Sequence, residues 1–162
     1  MRVGVAFTPF ETRAGTILRL ASRADALGLA RVDVAEAWTH DATILLAEIA
    51  QTTERIGLGA SVLSVWGRTP ATMALTAAGL QRCSRGRFRL GIGAVSPPLT
   101  EGFHGIPWDA PVEQLRRTLT AVRAPSRIVS QNAAIRGMWA SRSSWATSVN
   151  SQPIMSSANA RS

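Results

Sequence analysis

The sequence predicts an α/β fold assembled from (β/α) barrel units, and three observations carry that reading. Short apolar runs alternate with helical periods along residues 1–123. Strict alternation implies parallel strands joined by right-handed crossovers. The run Ile56-Gly57-Leu58-Gly59-Ala60-Ser61-Val62-Leu63 has the texture of a strand covered on both faces. It stops at Trp66-Gly67-Arg68, and Thr69-Pro70 then opens a helix, with Thr as N-cap and Pro in the first helical position. In such units chemistry sits where strands end.

The elements follow in order. Residues 2–7 read as a first strand. Residues 12–28 read as a helix, with Ile17, Leu20, Ala21, Ala24 and Leu27 at helical spacing and Gly28 as its stop. Residues 31–35 form a second strand ending at Glu36-Ala37-Trp38. Asp41 caps a helix over 42–53 that buries Leu45, Leu46 and Ile49. The third strand and a helix over 70–83 come next. Residues 88–92 make a fourth strand, which runs into Gly93-Ala94-Val95-Ser96-Pro97-Pro98. A long loop reaches Pro111, and an amphipathic helix over 112–122 presents Val112, Leu115, Leu119 and Val122. The expected product is four parallel strands in the order 1-2-3-4, with helices outside.

The texture changes after Arg123. Residues 124–162 hold ten Ser, one Gly and no acidic residue, and show no helical or strand period. Residues 1–123 therefore read as one half-barrel domain and 124–162 as a low-complexity, disordered tail. Translation out of the ancestral frame or a truncated gene would leave such a junction, and so would an evolved tail. At 162 residues the chain is short for a whole eight-stranded barrel, which takes ~250.

Composition excludes several function classes. A net charge of +8 first suggests a nucleic-acid partner. All 18 basic residues are Arg, however, and they are spread along the chain, so a mildly basic solvated surface is the better reading and no nucleic-acid partner is expected. No apolar run is long enough to span a membrane. A lone Cys83 forms no internal disulfide, which fits a reducing, cytoplasmic compartment. Two His and one Cys, far apart, make no metal spacing. The runs Gly57-Leu58-Gly59 and Gly91-Ile92-Gly93 do not complete a dinucleotide fingerprint and lie within strands rather than in a phosphate turn.

Several segments together carry a family likeness over about three quarters of the chain. They are Val34-Ala35-Glu36-Ala37-Trp38-Thr39-His40-Asp41-Ala42, Thr53-Glu54-Arg55-Ile56-Gly57-Leu58-Gly59, Arg68-Thr69-Pro70-Ala71, Ser84-Arg85-Gly86-Arg87-Phe88-Arg89-Leu90-Gly91-Ile92-Gly93 and Glu101-Gly102-Phe103-His104-Gly105. In order and spacing they resemble the N-terminal half of the bacterial luciferase-like superfamily, and particularly its deazaflavin (coenzyme F420)-dependent oxidoreductases. The resemblance implies a TIM barrel of eight (β/α) units, often dimeric, that binds the deazaflavin F420 or FMN at its C-terminal mouth. It implies hydride transfer to or from a small organic substrate, or FMN-dependent monooxygenation on the same fold. It also implies a non-prolyl cis peptide at Ser61-Val62, where a bulge meets the cofactor ring; read without the resemblance, that bond is an ordinary trans one. Ser61, Val62, Trp66, Gly93 and Ser96 are the cofactor-binding candidates, and Glu36 and His40 the catalytic ones.

There are departures. Related enzymes often place Asp-His or Glu-His at the end of strand two, whereas this chain has Glu36-Ala37. The acid some relatives carry in the strand-four loop aligns with Ser96. The family's second half supplies much of the phosphate-tail site. The competing class is a non-catalytic half-barrel remnant that binds cofactor weakly or not at all and self-associates through its edges. Individual residues keep their plainer alternatives. Glu36 serves cofactor, substrate or proton transfer, or is a capping carboxylate. His40 donates a proton or packs at a helix start, and His104 orders a loop or acts in chemistry. Trp38, Trp66 and Trp108 follow successive strands and form an aromatic wall for a planar ring, or pack as core.

Overall fold

The structure is a computed structural model and describes residues 3–123. The expected tail at 124–162 lies outside the described residues. The elements are β1 (Gly4–Phe7), α1 (Ala14–Ala26), β2 (Arg31–Val34), α2 (Ala42–Thr52), β3 (Gly57–Ala60), β4 (Leu63–Ser64), α3 (Pro70–Cys83), β5 (Phe88–Arg89), β6 (Ile92–Gly93), a π-helix (Pro98–Phe103) and α4 (Pro111–Arg123). One sheet has the order β1-β2-β3-β5, and β4 pairs with β6 in a second. Every pairing is parallel, with Val32 beside Leu58 and Leu58 beside Phe88 in register. The expected strand order therefore holds.

The expected third and fourth strands are each broken in two. The third leaves the first sheet at Ser61-Val62, whose peptide bond is cis, and resumes as β4. The fourth breaks at Leu90-Gly91 and resumes as β6, so the two strands bend together and β4 finds β6 as its partner. The long loop after β6 is also not structureless, since Pro98–Phe103 closes a π-turn there.

The helices form where their caps predict. The Asp41 side chain accepts from the Thr43 N–H at 2.8 Å, and the Thr69 hydroxyl accepts from the Thr72 N–H at 3.2 Å ahead of Pro70. Ile17, Leu46, Ile49, Leu58 and Met73 fill the layer between helices and sheet. The buried stripe of α1 is narrower than its periodicity suggests. Ile17, Ala21 and Ala24 face inward, whereas Leu20 and Leu27 are exposed. On α4 Val122 is buried and Val112 is exposed.

The connection from α2 to β3 is held from both sides. Asp25, buried at the end of α1, accepts from the backbone N–H groups of Glu54 (2.9 Å), Arg55 (3.0 Å) and Ile56 (2.6 Å). Arg87, ahead of β5, donates to the carbonyls of Ala50 (3.0 Å), Thr53 (2.8 Å) and Ile56 (2.8 Å). Helix α2 has no basic residue in its own last turn, so Arg87 supplies the positive charge its C-terminus favours.

Burial of the Asp25 carboxyl raises its pKa, but the three N–H donors more than offset this and hold it below the usual carboxylate value. Stability from this carboxylate is thus full above the unfolded value of ~3.9 and is lost as pH falls through the lower folded value. Asp25→Asn is expected to cost about 2 kcal/mol at neutral pH. In urea melts at a series of pH values, its difference from the native chain should shrink below about pH 4. A constant difference down to about pH 2 would remove the carboxylate from the account.

Candidate active site

The C-terminal ends of the strands carry most of the residues singled out from the sequence. The Glu36 N–H, just past β2, donates to the Val62 carbonyl at 3.3 Å, and the Ser61 N–H donates to the Val34 carbonyl at 2.8 Å. The Val65 N–H donates to the Gly93 carbonyl at 3.0 Å. Gly93 has no side chain because there is no room for one: a Cβ there would lie 2.6 Å from Val62 Cγ2. Glu36, Ser61, Val62 and Gly93 therefore sit together. Ser96 lies farther along the same loop, exposed, where its carbonyl accepts from the Thr100 N–H at 3.0 Å and starts the π-turn.

The three tryptophans are held in different ways. The Trp66 indole N–H donates to the Ala94 carbonyl at 2.7 Å, and that of Trp108 donates to the same oxygen at 3.2 Å. Trp38 is stacked on Phe10 with ring centroids 5.8 Å apart and planes inclined by 20°. Val95 follows Ala94 at φ 49°, a region that β-branched residues avoid. The two indoles fix the carbonyl just before this strained residue, a kind of strain that concentrates at functional sites.

Arg68 is the residue that sequence reasoning passed over. It sits one position before the Thr69 cap, at the end of the loop after β4. Its Nη1 is ion-paired with Glu36, and its Nη2 lies 2.9 Å from Asp41 Oδ1. Arg68 and Glu36 are both largely buried, with side-chain exposures of 13% and 12%. Burial opposes the guanidinium charge, but the two carboxylates outweigh it and raise the Arg68 pKa above its ordinary value. One guanidinium thus ties the end of β2 to the cap of α2. The only sequence signal was its place in the Arg68-Thr69-Pro70 segment.

His40 is committed differently from Glu36. Its Nε2 lies 3.0 Å from the Glu11 carbonyl. A carbonyl only accepts, so the neutral ring carries its proton on Nε2 and leaves Nδ1 as an acceptor. Beside these groups opens a cavity of about 440 Å³, whose lining includes Glu36, Trp38, His40, Asp41, Arg68, Phe103 and His104. That volume falls within the range of small-molecule sites.

Comparison with known proteins gives a consistent picture. A protein of Mycobacterium tuberculosis assigned as a coenzyme F420-dependent oxidoreductase is 36% identical over 104 residues, which are 64% of this chain and 30% of that protein. A monooxygenase of Streptomyces bottropensis superposes with a TM-score of 0.67 at 28% identity, over 76% of this chain and 42% of its own. The oxygenating constituent of the Pseudomonas putida 3,6-diketocamphane monooxygenase, solved with FMN, superposes with a TM-score of 0.68 at 22% identity. That match covers 76% of this chain and 38% of the other, and at this identity it speaks for the fold alone. The chain spans about a third of the length of the curated relatives it matches. The sequence model of the luciferase-like monooxygenase family matches residues 1–135, and the chain belongs to that family.

Proposed function

We propose that residues 1–123 build one half of the mouth of a luciferase-like oxidoreductase that binds the deazaflavin F420, with FMN as the alternative, and acts on a small organic substrate. The observation that carries this reading is the gathering of Glu36, Val62 and Gly93 at the C-terminal strand ends. The fit to a planar ring is good. Val62 packed over a side-chain-free Gly93 offers an apolar seat, and Trp66 and Trp108, fixed to one carbonyl, stand beside it. When bound, such a cofactor supplies the hydride chemistry, and the protein supplies position and electrostatics.

In this reading Ser61, Val62, Trp66, Gly93 and Ser96 position the ring. Glu36, held by Arg68, presents a fixed carboxylate next to it. His40 exchanges a proton through Nδ1, because Nε2 is taken. The 36% identical relative favours F420. The monooxygenase of 28% identity keeps FMN-dependent oxygenation as the second reading. Among the described residues β1 and β5 are the edge strands of the first sheet, which supports self-association, and the free Cys83 suits a cytoplasmic setting. Among the described residues no helix is long and apolar enough to cross a membrane.

The test is titration of the purified 162-residue chain with F420 and with FMN, read by equilibrium dialysis and tryptophan quenching. The expected result is weak binding of F420, with Kd above about 0.1 mM, and no appreciable turnover. The described residues build only part of the mouth, and misplacement by ~1 Å can cost ~10²-fold in rate. No binding of either cofactor at millimolar concentration would sink the cofactor assignment. Tight, stoichiometric binding by a monomer would show the mouth to be complete.

A further inference from the structure

The charges around the 440 Å³ cavity select among substrates. Arg68 is the cavity's one guanidinium, and both its terminal nitrogens are occupied by Glu36 and Asp41. The lining therefore holds two carboxylates against one guanidinium, and its fixed charge is net negative. A phosphorylated or carboxylated substrate would meet two carboxylates and a guanidinium already paired with both. Two aromatic rings of the same lining are of another character. Trp38, 46% exposed, is stacked on Phe10, and Phe103, 53% exposed, stands edge-on to His104 at 5.1 Å. Rigid aromatic faces of this kind offer stacking area at small entropic cost. The His104 ring, also beside Gly67, has no hydrogen-bond partner among the described residues, whereas the His40 ring has one. A neutral imidazole can both donate and accept, so it suits a hydroxyl or a carbonyl oxygen.

We propose that this cavity is the substrate pocket and that its substrate is an uncharged planar ring compound bearing a hydroxyl or carbonyl that hydrogen-bonds to His104. The ring lies against Trp38 and Phe103, and the Glu36–Arg68–Asp41 cluster repels anions. The proposal rests on the oxidoreductase reading for the word substrate. Its binding chemistry is tested without any cofactor.

The experiment uses the full 162-residue chain with 2-naphthol and 2-naphthyl phosphate, ring systems that differ in charge. Binding is followed by ligand-observed NMR. The native chain should bind 2-naphthol at least about tenfold more tightly than the phosphate. His104→Ala should weaken 2-naphthol by about tenfold. The double variant E36Q/D41N removes both negative charges beside Arg68 while keeping side-chain shape and an Asn cap on α2. It should improve 2-naphthyl phosphate by at least about tenfold, a gain that loss of folding cannot mimic. Equal affinity for the two probes in the native chain, or unchanged discrimination in E36Q/D41N, would overturn the proposal. A chain that discriminates as expected yet binds neither F420 nor FMN upholds the pocket and refutes the oxidoreductase reading. A chain that binds F420 and ignores both naphthyl probes does the reverse.

Discussion

Arg87→Met is expected to destabilise the fold by about 4 kcal/mol. The guanidinium makes five hydrogen bonds. Nε donates to the Ser84 carbonyl at 2.8 Å, Nη1 to the Thr53 hydroxyl at 2.9 Å and the Ile56 carbonyl at 2.8 Å, and Nη2 to the Ala50 and Thr53 carbonyls at 3.0 and 2.8 Å. Ala50 and Thr53 are each only 5% exposed, so water does not readily replace the lost donors. Met keeps the apolar stem and removes only the charged fork, which isolates the hydrogen bonds from the packing. Arg87→Lys should recover no more than about half of the loss, because one ammonium cannot reach both sides of the turn in a fixed plane. Urea unfolding followed by tryptophan fluorescence gives the numbers. A loss below about 1 kcal/mol for Arg87→Met would mean that the α2–β3 turn holds without it.

Gly91→Ala is the second large effect, at about 3 kcal/mol. A Cβ on Gly91 would run into the Ala60 carbonyl oxygen, which is backbone at the end of β3 and cannot swing aside. To make room, the β3 and β5 segments must separate, and the hydrogen bond from the Leu63 N–H to the Gly91 carbonyl at 2.9 Å must lengthen. The control is Gly79→Ala in α3. A Cβ there meets nothing within 4 Å, so the change should stabilise by roughly 0.5–1 kcal/mol through helix propensity. Opposite signs at the two glycines in thermal melts are the expected outcome. A neutral Gly91→Ala would show that the strand ends can yield.

Local chemistry was readable from the sequence wherever a residue acts on its own neighbours. Asp41 and Thr69 announce their helices because a cap bonds two or three positions on, and the parallel order follows from alternation alone. The break at Ser61-Val62 was not readable from periodicity, since a run of apolar and small residues looks the same straight or bent. Arg68 and Arg87 were hidden for another reason. Their partners lie about thirty residues away, and in a chain whose every basic residue is Arg, composition does not mark the two that are committed. The candidate residues at the strand ends were legible in place through the family resemblance. The stacking of Trp38 on Phe10 is set by tertiary packing, which spacing along the chain does not show.

The clamp on the α2–β3 turn has a bearing on how such a chain can change over time. Asp25 and Arg87 fasten the backbone at the end of the sheet opposite the mouth, whereas the groups that would meet a ligand hang from loops at the other end. Substitutions among the mouth loops then leave the fastening untouched, and new specificities can be sampled from a framework whose cohesion is set elsewhere. Variation at Asp25 or Arg87 has no such freedom, although neither residue comes near a reacting atom. The chain's relatives include a monooxygenase and a coenzyme F420-dependent oxidoreductase, and such a separation along the strand axis suits one framework to more than one chemistry.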